Sequence, residues 1–242
     1  MPWVETESLS FVARHESGQT GSVERLLDDL ERFRAALETR FEQVPGEVTV
    51  VVHPRSLMLS LAHPWLPAMR MVSAPAGRRY FAGFHTRREI HVLAPAALEA
   101  RASEVAGSRE AMLLSPRREY GHLVVGANNP SLPPPFTPGT FRRYLRMAWV
   151  GEGAASYLAG QVPHMRAAVA RRMREGGRPS FPPPARDALV LGGTVFDFLA
   201  REAGPDAADA LALARTPEAA MKALGSATGR RWEDYLAGFA AG

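Results

Sequence analysis

The chain has 242 residues and 46% hydrophobic content, enough for one sizeable core and too apolar for a mainly disordered protein. It has no cysteine, which excludes disulfides, thiolate zinc knuckles, iron–sulfur clusters and cysteine nucleophiles together and leaves His, Asp and Glu as metal ligands. The net charge is +4 and the pI 9.9, but Lys222 is the only lysine and arginine pairs at 78/79, 87/88, 117/118, 142/143, 171/172 and 230/231 are spread along the chain, so no basic tract marks a nucleic-acid partner.

The opening MPWVETESLSFVARHE has neither a basic nor an apolar signal region, and no run approaches the roughly 20 apolar residues of a membrane span. A soluble, cytoplasmic chain is expected, with export of a longer precursor left open. Leu9 to Arg14 alternates as a first strand, and Ser22 is expected to cap a long helix whose stripe is Val23, Leu26, Leu27, Leu30, Phe33, Leu37 and Phe41. Pro45-Gly46 closes it. Glu47 to His53 is a β-branched strand stopped by Pro54, and Tyr80 to Phe84 and Glu89 to Leu93 are two more, with Arg87-Arg88 as a hairpin turn or the start of a longer excursion.

From about residue 95 the pattern is helical. Asn128 to Gly139 reads as a long exposed Pro-rich loop, followed by helices over Leu145–Ala159 and Met165–Arg174 and a break at Pro182-Pro183-Pro184. Leu189–Glu202 is a helix ended by Gly204-Pro205, Thr216-Pro217 starts another over 218–224, and Arg231–Phe239 is the last. The expectation is an α+β fold in one domain over 1–242, β-rich to about 107 and helical from about 108.

One stretch carries chemistry. Ser115-Pro116 is expected to start a helix, unless Pro116 kinks one begun near Ser108, and on it Arg118 and His122 share a face with Glu119 beside them. This is the spacing of H-E-x-x-H, where two histidines hold zinc and the glutamate is general base, with only the E-x-x-H half present. Thirty residues on, Trp149-Val150-Gly151-Glu152-Gly153-Ala154-Ala155-Ser156-Tyr157 resembles the W-x-x-E-G-x-A-x-Y segment of the gluzincins, zinc metallopeptidases of the peptidase-MA-like group. The first strand, long helix and strand ending His53-Pro54 resemble that group's N-terminal subdomain. Gly192 to Gly204 resembles its post-site helix, and Pro217-Glu218-Ala219-Ala220 with Ala227-Thr228-Gly229 its terminal helices.

The resemblance implies a zincin-like fold with Glu119 as general base and His122 and Glu152 as zinc ligands. Arg118 stands where the other histidine ligand belongs. A guanidinium has no lone pair to give, and at about 4 Å and an effective dielectric of about 20 it opposes a dication by about 8 kcal/mol. Zinc is therefore expected to be absent or weakly held. The family's oxyanion donor has no counterpart at its usual place, which leaves Tyr157, His164 and Tyr235 as candidates. His53, His85 and His91 fall at or near strand ends, where packing or exposure accounts for them. The implied function is a pseudopeptidase whose cleft binds a peptide or protein ligand uncut, with Arg118 bridging Glu152 and Glu119. The alternatives are an active zinc metallopeptidase rescued by a distant histidine, and a basic module for nucleic acid or anionic surfaces.

Overall fold

The computed structural model describes residues 2–134, 137–225 and 228–241, without the side chain of Trp65. Five strands, β1 (Trp3–Glu7), β2 (Phe11–Glu16), β3 (Val48–His53), β4 (Gly83–His85) and β5 (Glu89–Leu93), form one sheet in the order β1-β2-β3-β5-β4. The three central strands are parallel; β1 and β4 pair antiparallel at the two edges. Helix α1 (Thr20–Glu38) crosses between β2 and β3, and its apolar stripe is buried from Val23 to Leu37. Phe41 lies past its end and is buried too. The fold is α+β, a small mixed sheet followed by a mostly helical remainder, and no helix among the described residues is long and apolar enough to cross a membrane.

Several boundaries differ from expectation for local reasons. The first strand expected at Leu9 is the second half of a hairpin: Leu9 is 94% exposed in the turn, and β1 precedes it. β1 is two apolar residues followed by the polar Glu5, Thr6 and Glu7, and is only partly buried, so it has no apolar period to announce it. Helix α1 starts two residues before Ser22, whose hydroxyl donates to the Gln19 carbonyl instead of capping. Tyr80 sits in a short 3-10 turn, and the Phe81 carbonyl accepts from the Arg70 guanidinium, so pairing begins only at Gly83. Arg87-Arg88 does lie in the turn of the β4–β5 hairpin.

Between β3 and β4 lie two unforeseen helices, α2 (Ser56–Ala62) and α3 (Trp65–Val72). After α4 (Pro95–Arg101) come α5 (Ser108–Leu113) and α6 (Ser115–Asn128), separated by Leu114, so a helix does start at Ser115-Pro116, with Leu114 rather than Ser115 at its N-cap. The stretch after α6 is not exposed throughout: its first part, apart from Pro130, tucks into the fold. Asn129 and Leu132 are buried, and the Asn129 amide donates to the carbonyls of Ala212 and Ala214. Residues 135 and 136 of that stretch, and Ala227, lie outside the described residues.

Helix α7 (Pro138–Leu158) starts with a capping box in which Thr137 and Thr140 serve each other's backbone N–H. It bends at Met147, where φ is −123° and ψ 18°. Then follow α8 (Arg166–Arg174), α9 (Ala188–Ala203), α10 (Pro205–Ala212), α11 (Pro217–Leu224), N-capped by the Thr216 hydroxyl, and α12 (Thr228–Ala241). α7 and α9 approach with glycine against glycine: a Cβ on Gly153 would lie 2.7 Å from the Gly192 carbonyl. That contact sets the depth at which α7 presents Glu152.

Candidate functional site

Helices α6 and α7 and the edge strand β4 meet at a buried charge cluster. Arg118 and His122, one turn apart on α6, point the same way, and Glu152 comes to them from α7. Arg118 Nη2 donates to Glu119 Oε1 at 2.6 Å, while Arg118 Nη1 stands 3.9 Å from Glu152 Oε2. His122 Nε2 is 3.5 Å from the same Glu152 oxygen. All four side chains are buried. The three positions singled out from sequence spacing, 118, 122 and 152, thus converge.

Two members were not anticipated. His85, at the end of β4, lies 3.0 Å through Nδ1 from Glu119 Oε2, and its ring stacks on His122 at 4.5 Å between centroids. A strand-end histidine assigned to packing is therefore part of the cluster, because the β4–β5 hairpin turns its final residue onto α6. Gly83 makes room for this, since a Cβ there would lie 2.5 Å from Glu119 Cγ. The second is Tyr144, whose hydroxyl donates to Glu152 Oε1 at 2.9 Å.

The candidate donors from sequence lie elsewhere. Tyr157 packs on Phe196 under Arg40, His164 is in the 3-10 turn before α8, and Tyr235 donates to Asp197 on α9; none lines the cavity at the cluster. Tyr144 takes the place beside Glu152 that they were considered for.

The electrostatics follow from burial and opposite charge. Burial alone would raise the Glu119 carboxyl, but the Arg118 guanidinium, helped by His85, outweighs it and holds the group far below the carboxylate range. For Glu152 burial is again outweighed, here by His122 and then Arg118, and the carboxyl is brought down to about 2. Burial and neighbouring Glu152 push the Tyr144 phenol well up, so it stays a donor. Burial and nearby His122 lower the His85 imidazole.

The arrangement departs from a zinc site at position 118. Position 118 offers no lone pair and places a cation among the ligands. His85, Glu119 and His122 do bring one ligand atom each within 4.8 Å of one another. However, an imidazole binds a metal in its own plane, and these rings are stacked with planes only 12° apart, so they cannot share an ion without one turning away. Both Glu119 oxygens are also engaged, one by Arg118 and one by His85.

Comparison with protein-family models, curated proteins and solved structures gives no match.

A second histidine group lies on the sheet face beside β4. His53 Nε2 and His91 Nδ1 are 3.1 Å apart, and His63 packs edge-on against His91 and face-on against Phe84. Burial, with a neighbouring imidazole in each case, lowers His53 and His63 to about 4.

Proposed function

We propose that this chain is a zincin-like pseudopeptidase in which the Arg118 guanidinium holds together the carboxylates a metal would otherwise serve, and that its cleft holds an extended peptide without cutting it. The observation that carries the reading is the position of Arg118 between Glu119 and Glu152. A buried pair of carboxylates needs a cation, and arginine supplies it with directed donors. Each Glu119 oxygen already accepts a hydrogen bond, from Arg118 and from His85, and the carboxyl is held far below its usual range, which makes it a weak base toward water. The strand β4 supports the peptide part: it borders the cavity with Gly83, Phe84 and His85 and, among the described residues, is the last strand of the sheet, beside β5. An extended segment can add to such an edge.

His85 beside His122 favours a second reading, an active metallopeptidase with zinc on His85, Glu119 and His122, at the cost of turning a stacked ring. Elemental analysis and a fluorogenic peptide assay separate the two. The first reading expects no stoichiometric metal and no metal-dependent cleavage in the unaltered protein, and zinc affinity by calorimetry raised by orders of magnitude in Arg118→His, which returns the missing ligand and removes the cation. About one zinc per chain in the unaltered protein, or brisk cleavage by it, would overturn the reading.

A further inference from the structure

The buried cluster is not fully self-satisfied. Arg118 Nε and Nη1 and Glu152 Oε2 are buried and make no hydrogen bond within the described chain. Nη1 and Oε2 are 3.9 Å apart, too far to bond each other. Both side chains line the same cavity, and they are only 2% and 5% exposed. The site thus offers unused guanidinium donors and one carboxylate acceptor side by side.

The cavity has a volume of about 30 Å³. That is about twice what one water-sized group needs. Its remaining lining near the cluster is apolar, including Leu66, Met69, Phe81, Val125 and Leu132, with Met69 half-buried at the rim. A fitting ligand tip therefore carries two small polar atoms, one accepting and one donating, on an apolar stem.

We propose that this cavity recognises a primary carboxamide of the bound segment, an Asn or Gln side chain or an amidated C-terminus, whose oxygen accepts from Arg118 Nη1 and whose NH2 donates to Glu152 Oε2. The proposal rests on the peptide-binding reading above and names what the peptide presents. Other groups match less well. A carboxylate only accepts, and would face the Glu152 carboxylate. An ammonium or guanidinium only donates, and would face Arg118. A trans peptide group points its oxygen and its N–H in opposite directions, so one edge cannot serve both partners. A hydroxyl fills half the space.

The test uses four small probes with the same apolar stem: benzamide, benzoate, N-methylbenzamide and benzyl alcohol. Each is titrated into the full chain while the Arg118 Nε–Hε signal, assigned by its loss in Arg118→Lys, is followed by NMR. Benzamide is expected to move that signal and to bind at least tenfold more tightly than the other three. Glu152→Gln, which keeps the shape and removes the repelling charge, is expected to bring benzoate level with benzamide or above it. Equal binding of all four probes would mean a merely apolar pocket and overturn the proposal. No movement of the Arg118 signal with benzamide at its solubility limit would do the same, leaving a solvent-filled cavity. A metal found in the same preparation would sink the pseudopeptidase reading itself; metal-free protein that fails to discriminate the probes would sink only the carboxamide.

Discussion

Replacing Arg118 by Met keeps much of the side-chain volume and removes the cation from between Glu119 and Glu152. Removing one partner of a buried ion pair leaves an uncompensated charge, which typically costs about 3–5 kcal/mol. The structure gives an internal scale for this. A carboxyl held at about 2 against an ordinary 4.5 corresponds to about 3 kcal/mol of stabilisation, which for Glu152 is shared between His122 and Arg118. For Glu119 the largest lowering influence is Arg118 itself, so burial is left opposed only by the histidines. Arg118→Met is therefore expected to lose about 3–5 kcal/mol at pH 7 in urea-induced unfolding.

The pH dependence has a definite sign. In the unaltered protein both carboxyls are depressed, so their contribution is complete above about 4.5 and is lost as pH falls toward 2. In the variant Glu119 loses its largest lowering influence and its carboxyl moves up, so the folded state takes up that proton earlier and the deficit narrows as pH falls. Adding Glu119→Gln and Glu152→Gln should return most of the loss, because no lone charge is then buried. A variant within about 0.5 kcal/mol of the parent at pH 7, or a deficit that does not change with pH, would show that these charges are not paired as described.

Gly153→Ala puts a methyl group 2.7 Å from the Gly192 backbone and 2.9 Å from the Phe196 ring. It should cost about 1–3 kcal/mol and displace Glu152 from Tyr144, visible as a Tyr144 hydroxyl whose resonance changes. The histidines beside β4 predict a second acid-sensitive range. His53 and His63 are lowered to about 4, so the unfolded chain binds more protons between 6.5 and 4 and stability falls as pH drops through that range. His53→Gln should flatten this limb by at most about 3 kcal/mol, and an unchanged limb would exclude His53 as a source.

Much of the scaffold was legible because burial and period coincide in it. The α1 stripe, β3 and the glycine-marked α9 each bury the face their spacing indicates. The same holds for 118, 122 and 152: one turn of helix fixes the first two, and the small residues around Glu152 allow the close approach of the third. β1 and the α2–α3 pair were missed because they bury little, with Leu57, Leu61, Met71 and Val72 all strongly exposed. His85 depends on a hairpin folding back over α6, a contact between residues 34 apart in sequence. Tyr144 has no spacing signal at all, because its place is set by a bend.

That bend has a mechanical consequence. On a straight helix Tyr144 and Glu152 would be separated by eight residues, about 12 Å along the axis, with the tyrosine leaning toward the N-terminus and away from its partner. The break at Met147 turns the first part of α7 back so that the phenol reaches the carboxylate. The tyrosine thus rides on a short lever whose outer surface carries the exposed Phe141 and Leu145. Any force that straightens the lever takes the Tyr144 hydroxyl away from Glu152 Oε1, so the charge at the bottom of the cleft is tied to the shape of the surface above it.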